Sequence, residues 1–236
     1  MQIYNEIVNF YNQLKNDEYH RYKSWEHCYT YFQNSKNLEN DYASLQLAFY
    51  LASWGMYRGS SYLLWKDYKI HKELINNLIA SNMIKVTFDY NEQNDNQNTE
   101  FIIKMINEIK GYYSDKIKIV NGKEKEVKPS NTLASKVLLG VNAIVPAFDR
   151  FFITGLKLAK LGESINKETI KNVLVFYRNN KNEFNNACEY IQNYSGIEYP
   201  PMKLIDMYFW EIGRKEEERI KKLKEEKKKN LTTAST

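Results

Sequence analysis

Hydrophobic side chains recur every three or four positions along most of this chain, which is the spacing of one face of an α-helix. The first such segment places Ile3, Ile7, Phe10, Tyr11 and Leu14 on one face. Similar patterns predict helices over 25–32, 41–54, 62–66, 68–80, 101–109, 132–141, 149–161, 167–178 and 180–194, and a last helix that begins at Pro201. Asp41 and Asn166 are the expected N-caps of their helices, because their short polar side chains can accept from the first free amides. Residues 89–99 are polar and rich in turn formers, so we expect an exposed loop there.

One short segment departs from the helical pattern. Residues 116–127 alternate in polarity on either side of Asn121-Gly122, which is a strong short-range sign of a β-hairpin. The segment is highly charged, so the hairpin should be small and exposed. We therefore predict an all-α fold, a compact helical domain of about nine or ten helices with a small exposed β-hairpin. Residues 1–213 should form a single helical domain, or two helical lobes sharing a cleft, and residues 214–236 a charged helical extension with a disordered C-terminal tail.

Composition adds limits to this picture. The 236 residues are 43% hydrophobic and 27% charged, as in an ordinary globular protein. Most of the net charge of +5 comes from residues 214–229, which hold nine Lys or Arg and five Glu, so the body is nearly neutral and its charge does not by itself indicate nucleic-acid binding. No window of about 18 apolar residues and no leader pattern is present, and we expect a cytoplasmic protein.

Several kinds of site are disfavoured. Two cysteines, Cys28 and Cys188, are too few for a disulfide framework or a four-thiolate metal centre. Residues 19–27 mix basic and aromatic side chains, but His20 and His27 have no metal-ligand spacing with Cys28. The chain contains no Walker loop, GxGxxG or GxSxG motif. We predict no metal and no cofactor.

The segment 130–152, SNTLASKVLLGVNAIVPAFDRFF, is the strongest candidate for chemistry. A short helix carries Lys136, and Pro146 cannot continue that helix. Asp149 then stands at or beside the start of the next helix, where the helix dipole stabilises a carboxylate. A lysine and a carboxylate arranged in this way could supply a nucleophile and an electrostatic stabiliser or base.

This segment resembles the catalytic segment of the helix-hairpin-helix DNA glycosylase superfamily. Val145-Pro146-Ala147-Phe148-Asp149 matches the turn whose Asp opens the next helix, with one extra residue, and Lys136 stands where strand-cleaving members carry a Schiff-base lysine. The resemblance implies hydrolysis of the bond between a base and deoxyribose in DNA, with Asp149 and Lys136 as catalytic residues. The superfamily also includes antiviral members that excise bulky bases such as glucosylated hydroxymethylcytosine from phage DNA.

A flipped base needs a pocket and stacking partners. The glycine-flanked turn after the third helix displays Trp54, Tyr57 and Arg58, which we predict to bind the flipped nucleotide, together with Arg150 and Asn142. DNA is therefore the expected partner, in repair or in anti-phage defence, without a membrane.

Each of these residues also has a purely structural interpretation. Asp149 can be an ordinary N-cap, Lys136 a solvated lysine, and the 54–58 turn a packed connection. Asp206, on the first turns of an otherwise apolar helix, needs a buried partner. It can support the site or cap a neighbouring helix, and we favour a structural role. The whole chain could also be a non-catalytic all-α adaptor of a phage or mobile element that binds a protein or a small ligand.

Overall fold

The computed structural model describes residues 2–34 and 38–233. Within these ranges the chain forms ten α-helices and a two-stranded antiparallel sheet, which confirms the all-α fold with a small β-hairpin. The helices are α1 (Gln2–Lys15), α2 (Ser24–Asn34), α3 (Asn40–Ser53), α4 (Lys72–Ala80), α5 (Asp95–Lys116), α6 (Asn131–Val141), α7 (Arg150–Leu158), α8 (Lys167–Asn179), α9 (Lys181–Ser195) and α10 (Pro201–Thr233). Short 3-10 turns occupy Arg21–Lys23, Tyr62–Trp65, Tyr68–His71, Met83–Lys85 and Glu92–Asn94.

The hairpin forms where the sequence predicts it. Strands β1 (Ile119–Val120) and β2 (Lys123–Glu124) pair on either side of Asn121-Gly122. Asn121 has φ 49° and Gly122 has φ 71°. Two consecutive positive φ angles belong to the turn that matches the twist of a two-residue hairpin, and Asn-Gly adopts them at little cost.

Two local predictions are wrong. Asp41 does not cap α3, because the N-cap position is Glu39, whose side chain makes no capping hydrogen bond. Instead the Asp41 carboxylate accepts hydrogen bonds from the Tyr68 hydroxyl at 2.9 Å and the Lys72 ammonium at 2.7 Å. The predicted loop 89–99 ends early, because α5 already begins at Asp95. Asn166 does cap α8, accepting from the Thr169 amide at 2.8 Å, as predicted.

Asp95 shows why that loop prediction failed. Its side chain is buried and accepts two hydrogen bonds from the Arg178 guanidinium, at 2.6 and 2.7 Å. A bidentate ion pair with α8 thus fixes the start of α5, and this tertiary contact outweighs the low helix propensity of the polar sequence.

The longest run of consecutive buried residues in the described ranges covers most of α6 and the turn that follows it. All residues from 133 to 148 are buried, and the chain re-emerges at Asp149, which is partly exposed, and Arg150. The candidate segment is therefore a piece of core that ends at the surface. Lys136 lies in its buried part, and Asp149 and Arg150 lie where the chain reaches solvent.

Helices α7 and α10 lie in backbone contact. A Cβ added at Gly213 would overlap the carbonyl oxygen of Phe151 and would lie 2.8 Å from the Gly155 nitrogen. A Cβ at Gly155 would in turn overlap the carbonyl oxygen of Phe209. Only glycine lets the two helices approach this closely, and the contact fixes Asp149, at the start of α7, relative to α10.

We expect Gly213→Ala to destabilise the protein by about 3 kcal/mol, because the added methyl group meets backbone that cannot rotate away. For a chain of this size that loss lowers the melting temperature by roughly 10 °C, measurable by calorimetry or circular dichroism. Gly111→Ala is the matched control, since a Cβ at this position of α5 meets nothing within 4 Å. It should leave stability unchanged or raise it by up to about 1 kcal/mol. Equal melting temperatures for the two variants would contradict the close approach of α7 and α10.

The charged extension continues α10 to Thr233, so residues 214–233 are helical as predicted, and the last three residues lie outside the described ranges. Every side chain from 218 to 227 is exposed. None of the helices in the described ranges is both long and apolar enough to cross a membrane.

Candidate active site

Asp149 uses its two carboxylate oxygens for different purposes. As the N-cap of α7, its Oδ1 accepts a hydrogen bond from the Phe152 amide at 3.1 Å. Its Oδ2 lies 3.4 Å from the Lys136 ammonium. Asp149 is therefore an N-cap, as one interpretation of the sequence predicted, and its second oxygen faces Lys136.

Lys136 is not a solvated lysine. Its side chain is 5% exposed, and its Nζ donates a hydrogen bond to the backbone oxygen of Trp54 at 2.9 Å. Burial lowers the pKa of Lys136 below the ordinary lysine value, and the negative charges of Asp149 and Asp206 oppose that shift. Desolvation makes a buried lysine ammonium lose its proton more readily, and the resulting amine is suited to act as a nucleophile.

An open cavity of about 370 Å³ gives access to this pair. Its walls carry four aromatic side chains and three arginines in addition to the pair itself: Tyr22, Trp54, Phe151, Trp210, Arg21, Arg58 and Arg150. The residues come from the 3-10 turn before α2, the end of α3 and the turn after it, the start of α7, and α10. The Asp149 carboxylate and the 54–58 turn thus border one concave surface.

The aromatic wall is packed and pre-organised. Tyr22 stacks on Trp54 with ring centroids 4.2 Å apart. The Phe10 ring is parallel to that of Tyr22, and their centroids are 6.0 Å apart. Trp210 stands edge-on to Tyr22 at 5.7 Å and to Phe151 at 5.1 Å. Rings held by their neighbours lose little further freedom when a planar ligand binds against them.

Two of the three arginines carry unbalanced charge. No acidic side chain in the described ranges lies within ion-pair distance of Arg21 or Arg58, whereas Arg150 pairs with Glu217 at 2.9 Å. Arg58 folds back over Gly55, whose φ is +81° and where a Cβ would lie 2.7 Å from the Arg58 Nε. The glycine is thus needed both for the turn and for the arginine's position at the cavity.

Two predicted binding residues lie elsewhere. Tyr57 does not line the cavity, because its hydroxyl hydrogen-bonds the buried His71 Nε2 at 2.7 Å. The other ring nitrogen of His71 forms a hydrogen bond with the Tyr113 hydroxyl at 2.6 Å. These two hydrogen bonds connect the 54–58 turn to α5. Asn142 is also away from the cavity, and its amide donates to the carbonyl of Met83 at 3.0 Å.

Four of the seven aromatic and arginine side chains on the cavity wall are not among the site residues predicted from the sequence: Arg21, Tyr22, Phe151 and Trp210. The mixture of basic and aromatic residues in 19–27 was a usable sign for the first two. Phe151 adjoins the Asp149-Arg150 pair, and Trp210 is four residues after Asp206 on α10. Nothing in the sequence indicated that these segments meet.

No family model, curated protein or solved structure matches this chain. Among the described residues, no group of three or more His, Cys, Asp or Glu side chains is arranged to hold a metal ion.

Proposed function

We propose that this protein is a DNA N-glycosylase that cleaves the bond between deoxyribose and a modified base flipped out of the duplex. The observation that carries the proposal is the buried Lys136–Asp149 pair on the wall of a cavity that Arg21 and Arg58 also line, two arginines that form no ion pair with any acidic side chain in the described ranges. Base excision by an enzyme of this kind uses a nucleophilic amine and a fixed carboxylate at the sugar. It also uses cations that bind the DNA phosphates and an aromatic surface that binds the flipped base.

The dimensions support a flipped nucleotide as the ligand. A volume of about 370 Å³ falls near the lower end of small-molecule pockets, which is ample for one base and its sugar. The aromatic wall offers stacking surface and edges to a base. A base inside the duplex could not reach Asp149, so eversion is part of the proposal.

The chemistry follows from the positions of the two charged groups. As the C1′–N bond breaks, its electron pair leaves with the base and positive charge develops on the sugar, which the Asp149 carboxylate stabilises. Once Lys136 has lost its ammonium proton, its amine attacks C1′ and forms a C1′–Nζ bond, and the proton that the attacking nitrogen then sheds can pass to the departing base. Ring opening of the sugar then gives a Schiff base between Lys136 and C1′, which water hydrolyses to release the amine.

The unpaired arginines fit the phosphates that flank an everted nucleotide, because DNA binding is dominated by such contacts. We expect Arg58→Ala to weaken DNA binding and to reduce the slope of log affinity against log salt by about 1, as for the loss of one phosphate contact. Fluorescence anisotropy over a salt series measures both quantities. Lys171→Ala removes a charge that does not line the cavity and should leave the slope unchanged. Equal slopes for the wild type and Arg58→Ala would show that Arg58 does not contact a DNA phosphate.

The direct test is base release. Purified protein is incubated with unmodified DNA and with hypermodified phage DNA, and abasic sites are counted. The resemblance makes glucosylated hydroxymethylcytosine the first modified base to try, with anti-phage defence or DNA repair as the setting. The proposal predicts abasic sites on at least one substrate. Their absence on every substrate, together with no salt-dependent DNA binding, would favour the non-catalytic adaptor.

A further inference from the structure

Asp206 and Lys203 form a second buried ion pair directly behind the candidate active site. The Lys203 ammonium lies 3.0 Å from Asp206 Oδ2, and both side chains are less than 5% exposed. Neither residue lines the cavity, so neither can touch a ligand there. A buried pair of this kind contributes little net stability compared with apolar packing, so its presence calls for another explanation.

The contacts of Asp206 lead to the turn that carries Asp149. Asp206 Oδ1 accepts a hydrogen bond from the Ala147 amide at 3.0 Å. The next residue is fixed as well, since the Phe148 amide donates to Ser135 Oγ at 2.9 Å and Thr132 Oγ1 donates to the Phe148 oxygen at 2.8 Å. Side chains from α6 and α10 thus hold the backbone immediately before Asp149 from both sides.

Lys203 connects the same pair to the aromatic wall. Its ammonium lies 5.0 Å from the ring centroid of Trp54 and 5.0 Å from that of Trp25. The backbone oxygen of Trp54 is also the acceptor for Lys136. One buried pair therefore contacts both the turn that presents Asp149 and the tryptophan that holds Lys136.

We propose that Asp206 is a positioning residue for the excision reaction: it holds the Asp149 turn through the Ala147 amide, and its charge acts on the Lys136 ammonium. The inference rests on the proposed glycosylase function. The charges around Lys136 are Asp149, Asp206 and Arg58, and Asp206 raises the pKa of Lys136 while Arg58 lowers it. The fully buried Tyr50 also experiences the charges of both carboxylates, and burial raises its pKa well above the ordinary value, so it stays neutral.

Two double variants separate the two effects. Lys203→Met/Asp206→Asn keeps a carbonyl acceptor for the Ala147 amide but removes both buried charges. Lys203→Met/Asp206→Leu removes the charges and the acceptor together. Replacing both partners avoids leaving an uncompensated buried ion, so both proteins should fold, which circular dichroism verifies.

Single-turnover excision tests positioning. We expect the Asn variant to retain most activity and the Leu variant to be slower by up to roughly 100-fold, because small displacements of a reacting group carry penalties of this order. Acetylation of Lys136 by limiting acetic anhydride, followed by mass spectrometry, tests the charge effect without any glycosylase assay. Both double variants should be acetylated faster than wild type at neutral pH, since Asp206, and not Lys203, is among the main charges that act on Lys136, and losing the Asp206 charge favours the neutral amine.

The outcomes keep the two proposals distinct. Equal excision rates for the Asn and Leu variants would overturn the positioning role, and wild-type acetylation rates in both variants would overturn the charge effect. If the wild-type protein releases no base from any DNA, the glycosylase proposal fails. The acetylation result then decides on its own whether Asp206 acts on Lys136.

Discussion

Replacing Asp149 with asparagine is expected to slow base excision by roughly 10³-fold, the scale found when a preorganised group directed at developing charge is removed. Asparagine is nearly isosteric, and its side-chain oxygen can still cap α7 by accepting from the Phe152 amide. What it cannot do is place a negative charge beside C1′ as the sugar becomes cationic. The measurement is the single-turnover rate of abasic-site formation on whichever modified DNA the wild-type protein cleaves.

Asp149→Ala provides the matched comparison for stability. Alanine loses the cap as well as the charge, and the loss of an N-cap costs about 1 kcal/mol, or a few degrees in melting temperature for a chain of this length. We expect Asp149→Asn to melt close to the wild type, because Lys136 can release its proton once its partner is neutral. If the Asn variant excised bases at the wild-type rate, Asp149 would be only an N-cap, and the proposed chemistry would have to be abandoned.

Most of the helical framework could be predicted from the sequence, because amphipathic periodicity reports directly on which face of a helix is buried. The hairpin could be predicted equally well, since Asn-Gly specifies its turn locally. The failures at Asp41 and Asp95 share a cause. Each carboxylate is engaged by a cation from a distant segment, Lys72 in one case and Arg178 in the other. Such pairings depend on tertiary structure that no local pattern contains.

The candidate site shows the same division. Lys136 and Asp149 are 13 residues apart, on consecutive elements, and a short turn is enough to bring them together. Trp54 and Arg58 could be singled out because glycines flank their turn. Tyr57 lies in the same turn but faces the opposite way, toward His71, and a sequence of adjacent aromatics does not reveal which one faces a cavity.

The role of α10 in the candidate site was the hardest feature to predict from the sequence. Asp206 was recognisable as a polar residue in an apolar stretch, but its partners Ala147 and Lys203 decide what it does. Lys203 stands three residues before Asp206 on the same helix, so this partner follows from helical spacing. Ala147 is 59 residues away along the chain, and only the packing of the turn before α7 against α10 brings its amide to Asp206.

Lys136→Met should abolish the covalent protein–DNA complex that we expect borohydride to trap in the wild-type protein. Among the described residues that line the cavity, Lys136 carries the only primary amine, the group that can form a reducible Schiff base with C1′, and its Nζ lies 3.4 Å from Asp149 Oδ2. Burial lowers the pKa of Lys136, so its amine becomes neutral at a lower pH than that of a surface lysine. The yield of the trapped complex should therefore rise with pH and level off below about pH 10.4, the ordinary lysine value.

Methionine suits the buried site because it fills a similar volume without leaving a charge, so the variant should fold and retain the aromatic wall. Lys171→Met is the control for non-specific trapping, since Lys171 is exposed on α8 and does not line the cavity. A trapped complex that persists in Lys136→Met would assign the covalent step to another amine. Base release by the wild-type protein with no trapped complex at any pH would instead make water the nucleophile. Lys136 would then act only through its charge, held against the carboxylate that stabilises the sugar cation.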